Sequence, residues 1–143
     1  MTDQLPERYE VGTLPTPAIA GLSEGVELLS RIGVSYVNEY EGWLYRHTRE
    51  LLGNTDGVRL YVPHHEGAIL LFSVRGFSSE EVGRRLDKAG ICVRSGHHCA
   101  ALAHRTLHTP EDGAVRVSFG ITNRRSDGEA LCREIREMLR ENR

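Results

Sequence analysis

The residues best suited to chemistry in this sequence form the run His97-His98-Cys99, which joins one thiol to two imidazoles. Imidazole titrates near neutrality, so it can hold a neighbouring thiol partly as thiolate, by its charge or by accepting the proton. Gly96 precedes the run and predicts a turn. We interpret Cys99 as a candidate nucleophile and His98 as a residue that tunes it. The alternative is a loop with two solvated histidines and an unreactive structural thiol.

Zinc-type donors also occur in this region and keep a histidine-rich metal-binding module open as an alternative. They are His97, His98, Cys99, His104 and His108. Adjacent residues rarely point at one ion, and no second donor cluster accompanies them. A helix that would align His104 with His108 is disfavoured by Pro110. We therefore assign no metal site from the sequence.

Lysine is nearly absent, because Lys88 is the only one among 18 basic residues. A mechanism that needs a lysine Schiff base must use Lys88 or a lysine from elsewhere. The pattern places Lys88 in the last turn of a helix, where the helix dipole favours a cation. That position is structural rather than catalytic.

The 143 residues, 39% hydrophobic and 27% charged, are typical of one ordinary globular domain. A net charge of -2 gives no reason to expect nucleic acid or an anionic membrane as a partner. The longest apolar run, residues 68–72, is too short to span a bilayer. An odd number of cysteines and the lack of a signal-peptide pattern predict a reducing, cytoplasmic setting.

Periodicity predicts an α+β fold: a mainly antiparallel sheet of about four strands with helices on one face, preceded by two helices. Residues 1–15 read as an extended N-terminal arm, and residues 16–143 as a single small domain. The helices are predicted over 16–33, 37–53, 78–90 and from Ser126, which with Glu129 forms a candidate capping box. The strands are predicted over 58–62, 68–74, 91–95 and 115–121, with a turn at 63–67 and a loop at 96–113.

Three motifs occur in the order found in one enzyme family. Residues 93–100, Val-Arg-Ser-Gly-His-His-Cys-Ala, closely resemble the active-cysteine loop of the cysteine desulfurases, which are pyridoxal phosphate enzymes of the class V aminotransferase group. Residues 115–120 resemble that family's strand bearing the substrate-carboxylate arginine, and residues 9–13 the segment that leads into its small C-terminal domain. The family's aromatic-Asn-Thr ending is kept here only as Asn123.

The resemblance implies a role for each matching residue. Cys99 would take sulfur from the substrate as a persulfide, and Arg116 would bind the substrate carboxylate, with Arg94 flanking the same site. Gly12 and Thr13 resemble a pair that reaches the cofactor phosphate of a neighbouring subunit. The plainer alternatives are a relict thiol, arginines on a wet strand face and a loose arm.

In this family a large domain holds the cofactor and supplies its lysine, and nothing in the sequence resembles it. The resemblance therefore implies a stand-alone C-terminal domain that does not bind pyridoxal phosphate by itself. Its expected partners are a separate large-domain protein, a sulfur acceptor and a second copy of this chain. The alternatives are a non-catalytic sulfur-relay module and an inactive remnant.

Overall fold

A computed structural model describes residues 3–6, 8–9, 12–61 and 67–142. The chain divides into two compact units, Met1–Tyr36 and Val37–Arg143. Within the described residues the predicted turn at 63–67 is represented by Gly67 alone; the rest of that prediction lies outside them.

The first unit is built on helix α1, Thr16–Ile32, as the apolar spacing predicts. Pro17 lies in its first turn, where the missing backbone N–H costs nothing. Gly33 ends the helix at φ 93°, a conformation that only glycine adopts without strain. None of the residues of α1 is buried.

Helix α2, Val34–Gly53, supplies the first helical layer of the second unit. Its buried face consists of Leu44, Tyr45, Thr48 and Leu52. This spacing of three and four residues is that of an amphipathic helix lying on a core.

The sheet contains β1 (Val58–Tyr61), β2 (Ile69–Val74), β3 (Arg94–Gly96) and β4 (Ala114–Ser118). The strand order is β1-β2-β4-β3 and every pairing is antiparallel. The predicted α+β fold with a four-stranded antiparallel sheet is therefore confirmed. β3 begins three residues later than predicted, at Arg94, which is the first residue that pairs with β4. The N–H of Ile91 donates to Leu86 O at the end of the preceding helix.

Alternation along the strands gives the sheet one apolar and one polar face. Leu70, Phe72, Val115 and Val117 are buried and share a face, since Leu70 pairs with Val117 and Phe72 with Val115. They form one core with residues of α2 and of two later helices, Ser79–Lys88 and Arg125–Glu141. The opposite face carries arginines from β1, β3 and β4.

Helix α3, Ser79–Lys88, begins where the sequence predicts. Ser78 Oγ accepts the Glu81 N–H at 3.2 Å, which satisfies one of the free amides of the first turn. The Ser79 N–H and Oγ both donate to Asp112, the hydroxyl to its carbonyl at 2.7 Å. The start of α3 is thereby fixed to the loop that precedes β4.

Two predictions in the C-terminal half are wrong. The predicted loop at 96–113 contains helix α4, Ala101–Leu107, which ends at His108 in the left-handed conformation with φ 52°. Helix α5, Arg125–Glu141, starts before the predicted Ser126 cap. At its start the backbone N–H of Arg124 donates to the Asp127 carboxylate at 3.0 Å, so Asp127 takes the part that was predicted for Ser126.

Candidate active site

Cys99 lies in a tight turn that directly follows β3. The Ala100 N–H donates to His97 O at 2.8 Å, and the two central residues, His98 and Cys99, have φ of 54° and 58°. Positive φ at both central positions is the signature of a type I′ turn. Non-glycine residues adopt it at a cost of roughly 1–2 kcal/mol each. The turn leaves Cys99 exposed to solvent.

The His98 ring is hydrogen-bonded at both nitrogens. Its Nε2 lies 3.2 Å from Arg94 O in β3, and its Nδ1 lies 3.1 Å from His104 Nε2 in α4. His104 in turn places its Nδ1 2.9 Å from Thr109 Oγ1. The three side chains thus form a continuous hydrogen-bonded chain behind the Cys99 turn.

The two imidazoles of this hydrogen-bonded series, His98 and His104, both favour the neutral form. Burial is the main cause that lowers the pKa of His98, and the charges of Arg116, Arg94 and His97 lower it further. Burial also lowers the pKa of His104, with the neighbouring imidazoles acting in the same direction. The hydrogen bond of His98 to the Arg94 carbonyl acts in the opposite direction and is outweighed.

Arg94 and Arg116 are direct cross-strand partners of β3 and β4. Like charges directly opposite in a sheet repel each other. Arg116 Nε is buried and has no hydrogen-bond partner among the described residues. Across the same part of the chain, no carboxylate forms an ion pair with either arginine. Two guanidinium groups that share a face without a counter-ion have the chemistry that suits an anionic ligand.

The three cysteines differ in environment. Cys92 and Cys99 are exposed, whereas Cys132 is only 1% exposed within the core of α5. Burial raises the pKa of Cys132 to about 11, which leaves very little thiolate at neutral pH. Cys99 is the exposed cysteine that lies beside imidazoles and arginines.

The second unit therefore brings together four of the residues singled out from sequence: Cys99, His98, Arg94 and Arg116. Gly12 and Thr13 belong to the first unit, where both are exposed and Gly12 has φ 88°. Their role at a cofactor phosphate stays a prediction. Within the described ranges, no group of three or more His, Cys, Asp or Glu side chains is arranged to hold a metal ion.

Sequence reasoning missed the part that His104 and Thr109 play. His104 was considered only as a zinc donor in a loop, but it is a buried helical residue, 5% exposed. The run Ala101-Leu102-Ala103 is a helix-favouring signal that could have predicted α4. The partner of a buried histidine depends on tertiary packing and is not readable from spacing.

Comparisons with known proteins show the family of this chain. The family described as aminotransferase class-V matches residues 1–131, so the chain belongs to that family. More narrowly, it is 35% identical over 134 residues to a cysteine desulfurase of Synechococcus elongatus, covering 93% of this chain and 21% of that protein.

Solved structures show the same likeness. The apo structure of a cysteine desulfurase from Thermococcus onnurineus NA1 has a TM-score of 0.86 at 31% identity, covering 95% of this chain and 34% of that one. The Escherichia coli cysteine desulfurase CsdA, in an S-sulfonic acid form, has a TM-score of 0.87 at 25% identity, covering 98% and 34%. The chain thus spans between a fifth and about a third of the length of these relatives.

The family implies pyridoxal phosphate, but the residues of this chain do not fit its covalent attachment at the Cys99 site. Lys88 lies beside Glu134 and Glu137 of α5, on the helical side of the sheet. The strand register places Arg94 and Arg116 on the opposite face. A lysine that reacts at this site must come from outside these residues.

No helix among the described residues combines the length and the apolar character needed to cross a lipid bilayer.

Proposed function

We propose that this chain supplies the sulfur-accepting thiol and the carboxylate-binding arginine of a cysteine desulfurase. In the net reaction the Cys99 thiol and L-cysteine become a Cys99 persulfide and L-alanine. One C–S bond of the substrate breaks, and one S–S bond forms at Cys99. The observation that carries the proposal is the exposed Cys99 turn beside the anion-binding pair Arg94 and Arg116.

Cys99 is suited to receive and pass on sulfur because its thiol is accessible. A persulfide must meet a second thiol to be transferred, so a buried cysteine such as Cys132 cannot serve. The turn that carries Cys99 follows directly on β3, whose Arg94 pairs with Arg116, so a substrate carboxylate held by these arginines would lie on the same part of the sheet. The sulfur acceptor is proposed to be a separate protein with an exposed cysteine.

Arg116 is proposed to bind the α-carboxylate of the substrate, and Arg94 to add charge on the same face. A planar guanidinium can donate two parallel hydrogen bonds to a carboxylate, which a lysine cannot do. The unpartnered Nε of Arg116 leaves a donor available for such a ligand. Binding an anion would also relieve the repulsion between the two arginines.

Pyridoxal phosphate would supply the electron sink that labilises the substrate C–S bond. Its lysine is proposed to belong to a large domain that docks with these residues. Gly12 and Thr13, a glycine at positive φ followed by a hydroxyl, are proposed to reach the cofactor phosphate.

Reconstitution tests this proposal. The chain is mixed with a separately produced large domain of a cysteine desulfurase, pyridoxal phosphate and L-cysteine, and alanine release is measured. We expect alanine only in the complete mixture, loss of release with Cys99→Ser, and little change with the matched control Cys92→Ser. Alanine release by the chain alone, or full release with Cys99→Ser, would contradict the proposal.

A sulfur relay is the nearest alternative, and the same samples distinguish it. A relay would accept persulfide sulfur on Cys99 from a persulfidated donor protein without producing alanine. That outcome would mean that Cys99 accepts sulfur from another protein and takes no part in cysteine desulfuration.

A further inference from the structure

We infer that His104 is a positioning residue: together with Thr109 it holds the His98 ring in one tautomer and thereby fastens the Cys99 turn to β3. The inference rests on the proposed function in one respect only: that Cys99 is the reactive thiol. The hydrogen-bond chain and its effect on the turn can be tested without any catalytic activity.

The direction of each bond follows from the atoms at the two ends of the chain. Arg94 O is a carbonyl and can only accept, so His98 Nε2 carries the proton and donates to it. A neutral His98 then has an unprotonated Nδ1, which accepts from His104 Nε2. His104 Nδ1 is left as an acceptor for the Thr109 hydroxyl. Every donor faces an acceptor, and both rings are neutral.

His98 therefore connects three pieces of structure through a single ring. Its Nε2 bonds to β3, its Nδ1 bonds to α4, and its backbone forms half of the turn that carries Cys99. Two successive residues in the left-handed region are strained, and the ring bonds offset this strain by fixing the turn at both sides. Cys99 keeps its outward position as long as His98 stays bonded.

His104 is placed to act on His98 from inside the fold. It is 5% exposed, and its ring packs against His98 and His97 with centroid distances of 5.2 and 5.3 Å. It does not reach solvent as a nucleophile or base would. Its function is to present one N–H to His98 Nδ1.

Protonation of His98 would place its Nδ1–H against the Nε2–H of His104, so the arrangement in which His104 donates to His98 would be lost. The charge would also be opposed by burial and by Arg116 of β4, the Arg94 guanidinium of β3 and His97 of the turn, and only the Arg94 carbonyl would favour it. The pKa values of both rings lie below their ordinary value, so the bonded arrangement is complete above about pH 6.5. It is lost as the pH falls through the lowered values.

The tautomer of His98 in the unmodified protein gives the first test. Nitrogen-15 NMR of the imidazoles distinguishes a ring protonated at Nε2 from one protonated at Nδ1. We expect His98 and His104 to be protonated at Nε2 at pH 7.5. A His98 ring protonated at Nδ1 would overturn the inference.

Two substitutions of His104 separate its two bonds. His104→Gln keeps an amide near the position of Nε2, which can still donate to His98, whereas His104→Asn keeps one near Nδ1, on the Thr109 side. We expect His104→Asn, but not His104→Gln, to speed amide hydrogen exchange of Ala100 in the turn by roughly fivefold to tenfold. His108→Asn is the control, because His108 is exposed and asparagine tolerates its left-handed conformation.

Core amides of Leu70 and Phe72 report global unfolding in the same spectra. An equal loss of protection at Ala100 and in the core, or equal exchange in the Gln and Asn variants, would overturn the inference. If His104→Asn does not fold, Thr109→Val removes the far hydroxyl and is expected to give a smaller increase at Ala100 alone. Failure of alanine release in reconstitution would leave these results intact, so the two proposals fail separately.

Discussion

Cys99 differs from the other two cysteines in backbone conformation and neighbours as well as exposure. Its φ of 58° continues the positive φ of His98, and the two residues form the centre of the turn. Non-glycine residues are held in this region where the surrounding structure compensates, and such positions concentrate at functional sites. The bonds of His98 to Arg94 O and His104 provide that compensation.

The cysteines should differ sharply in alkylation by iodoacetamide under native conditions at pH 7.5. Cys132 should react at least about a hundredfold more slowly than Cys92 or Cys99, because it is buried and its pKa is raised from 9.0 to about 11. Peptide mass spectrometry over a time course measures the three rates. In urea the three rates should converge, and rapid native labelling of Cys132 would contradict the packing of α5.

The paired arginines should make stability depend on salt. Salt screens the repulsion between Arg94 and Arg116, so raising the salt concentration should stabilise the unmodified protein more than Arg116→Gln, by about 0.5 kcal/mol. Urea unfolding at low and high salt measures the difference. Arg59→Gln is the control, since Arg59 pairs with Ser73 and stacks on Tyr61. An equal salt response of the unmodified protein, Arg116→Gln and Arg59→Gln would show that Arg94 and Arg116 do not repel each other measurably.

At the residue scale, the sequence singled out candidate residues but did not indicate the hydrogen bonds that connect them. Cys99, His98, Arg94 and Arg116 were all identified by type and motif, and the structure places them in one region. The bond from His98 to His104 spans six residues across an unpredicted helix. Its existence depends on how α4 packs, which no local pattern encodes.

At the element scale, the second unit depends on a close approach of α2 and α5. Gly128 is buried in α5, and a Cβ built there would lie 3.3 Å from Thr48 Cβ and closer still to its hydroxyl. Thr48 is β-branched and buried in α2, so it cannot swing aside. Gly128 therefore sets the distance between α2 and α5.

Gly128→Ala should lower the free energy of unfolding by about 1–2 kcal/mol, the overpacking cost reduced by the better helix propensity of alanine. Denaturant unfolding measures it. The cost should be smaller when Thr48→Ala is also present, which identifies Thr48 as the clashing residue. Gly42→Ala in α2 is the control, since a Cβ there meets only the mobile end of Arg46. A neutral Gly128→Ala would contradict this packing.

Element boundaries were predictable where a local signal decides them. Ser78 caps α3 as the sequence indicates, because the cap requires only a hydroxyl three residues before an amide. α5 was misplaced since Asp127, not Ser126, satisfies its first turn. α4 was missed because Pro110 argued against a helix, yet the helix ends at His108 before the proline takes effect.

At the scale of the whole molecule, α1 carries an apolar stripe that is exposed. Ile19, Leu22, Val26 and Leu29 follow helical spacing and are 48%, 69%, 56% and 41% exposed. An apolar stripe of this kind marks an interaction surface. The sequence predicts such a stripe from periodicity alone, but not whether another chain covers it.

We expect this stripe to cause self-association of the purified chain. Analytical ultracentrifugation should show a concentration-dependent increase in mass, and Leu22→Glu together with Val26→Glu should remove it. Ala20→Glu, an exposed position on the other side of α1, is the control. A monomer at all concentrations, or association unaffected by the double substitution, would contradict the expectation.

The central claim is that Cys99 receives sulfur from cysteine, and the mass of the Cys99 peptide tests it most directly. After reconstitution with a large domain, pyridoxal phosphate and L-cysteine, persulfides are trapped by alkylation and the peptides are analysed by mass spectrometry. The account predicts an alkylated persulfide, one sulfur atom heavier than the alkylated thiol, on Cys99 and not on Cys92 or Cys132. A Cys99 peptide without added sulfur, while alanine is released, would contradict it.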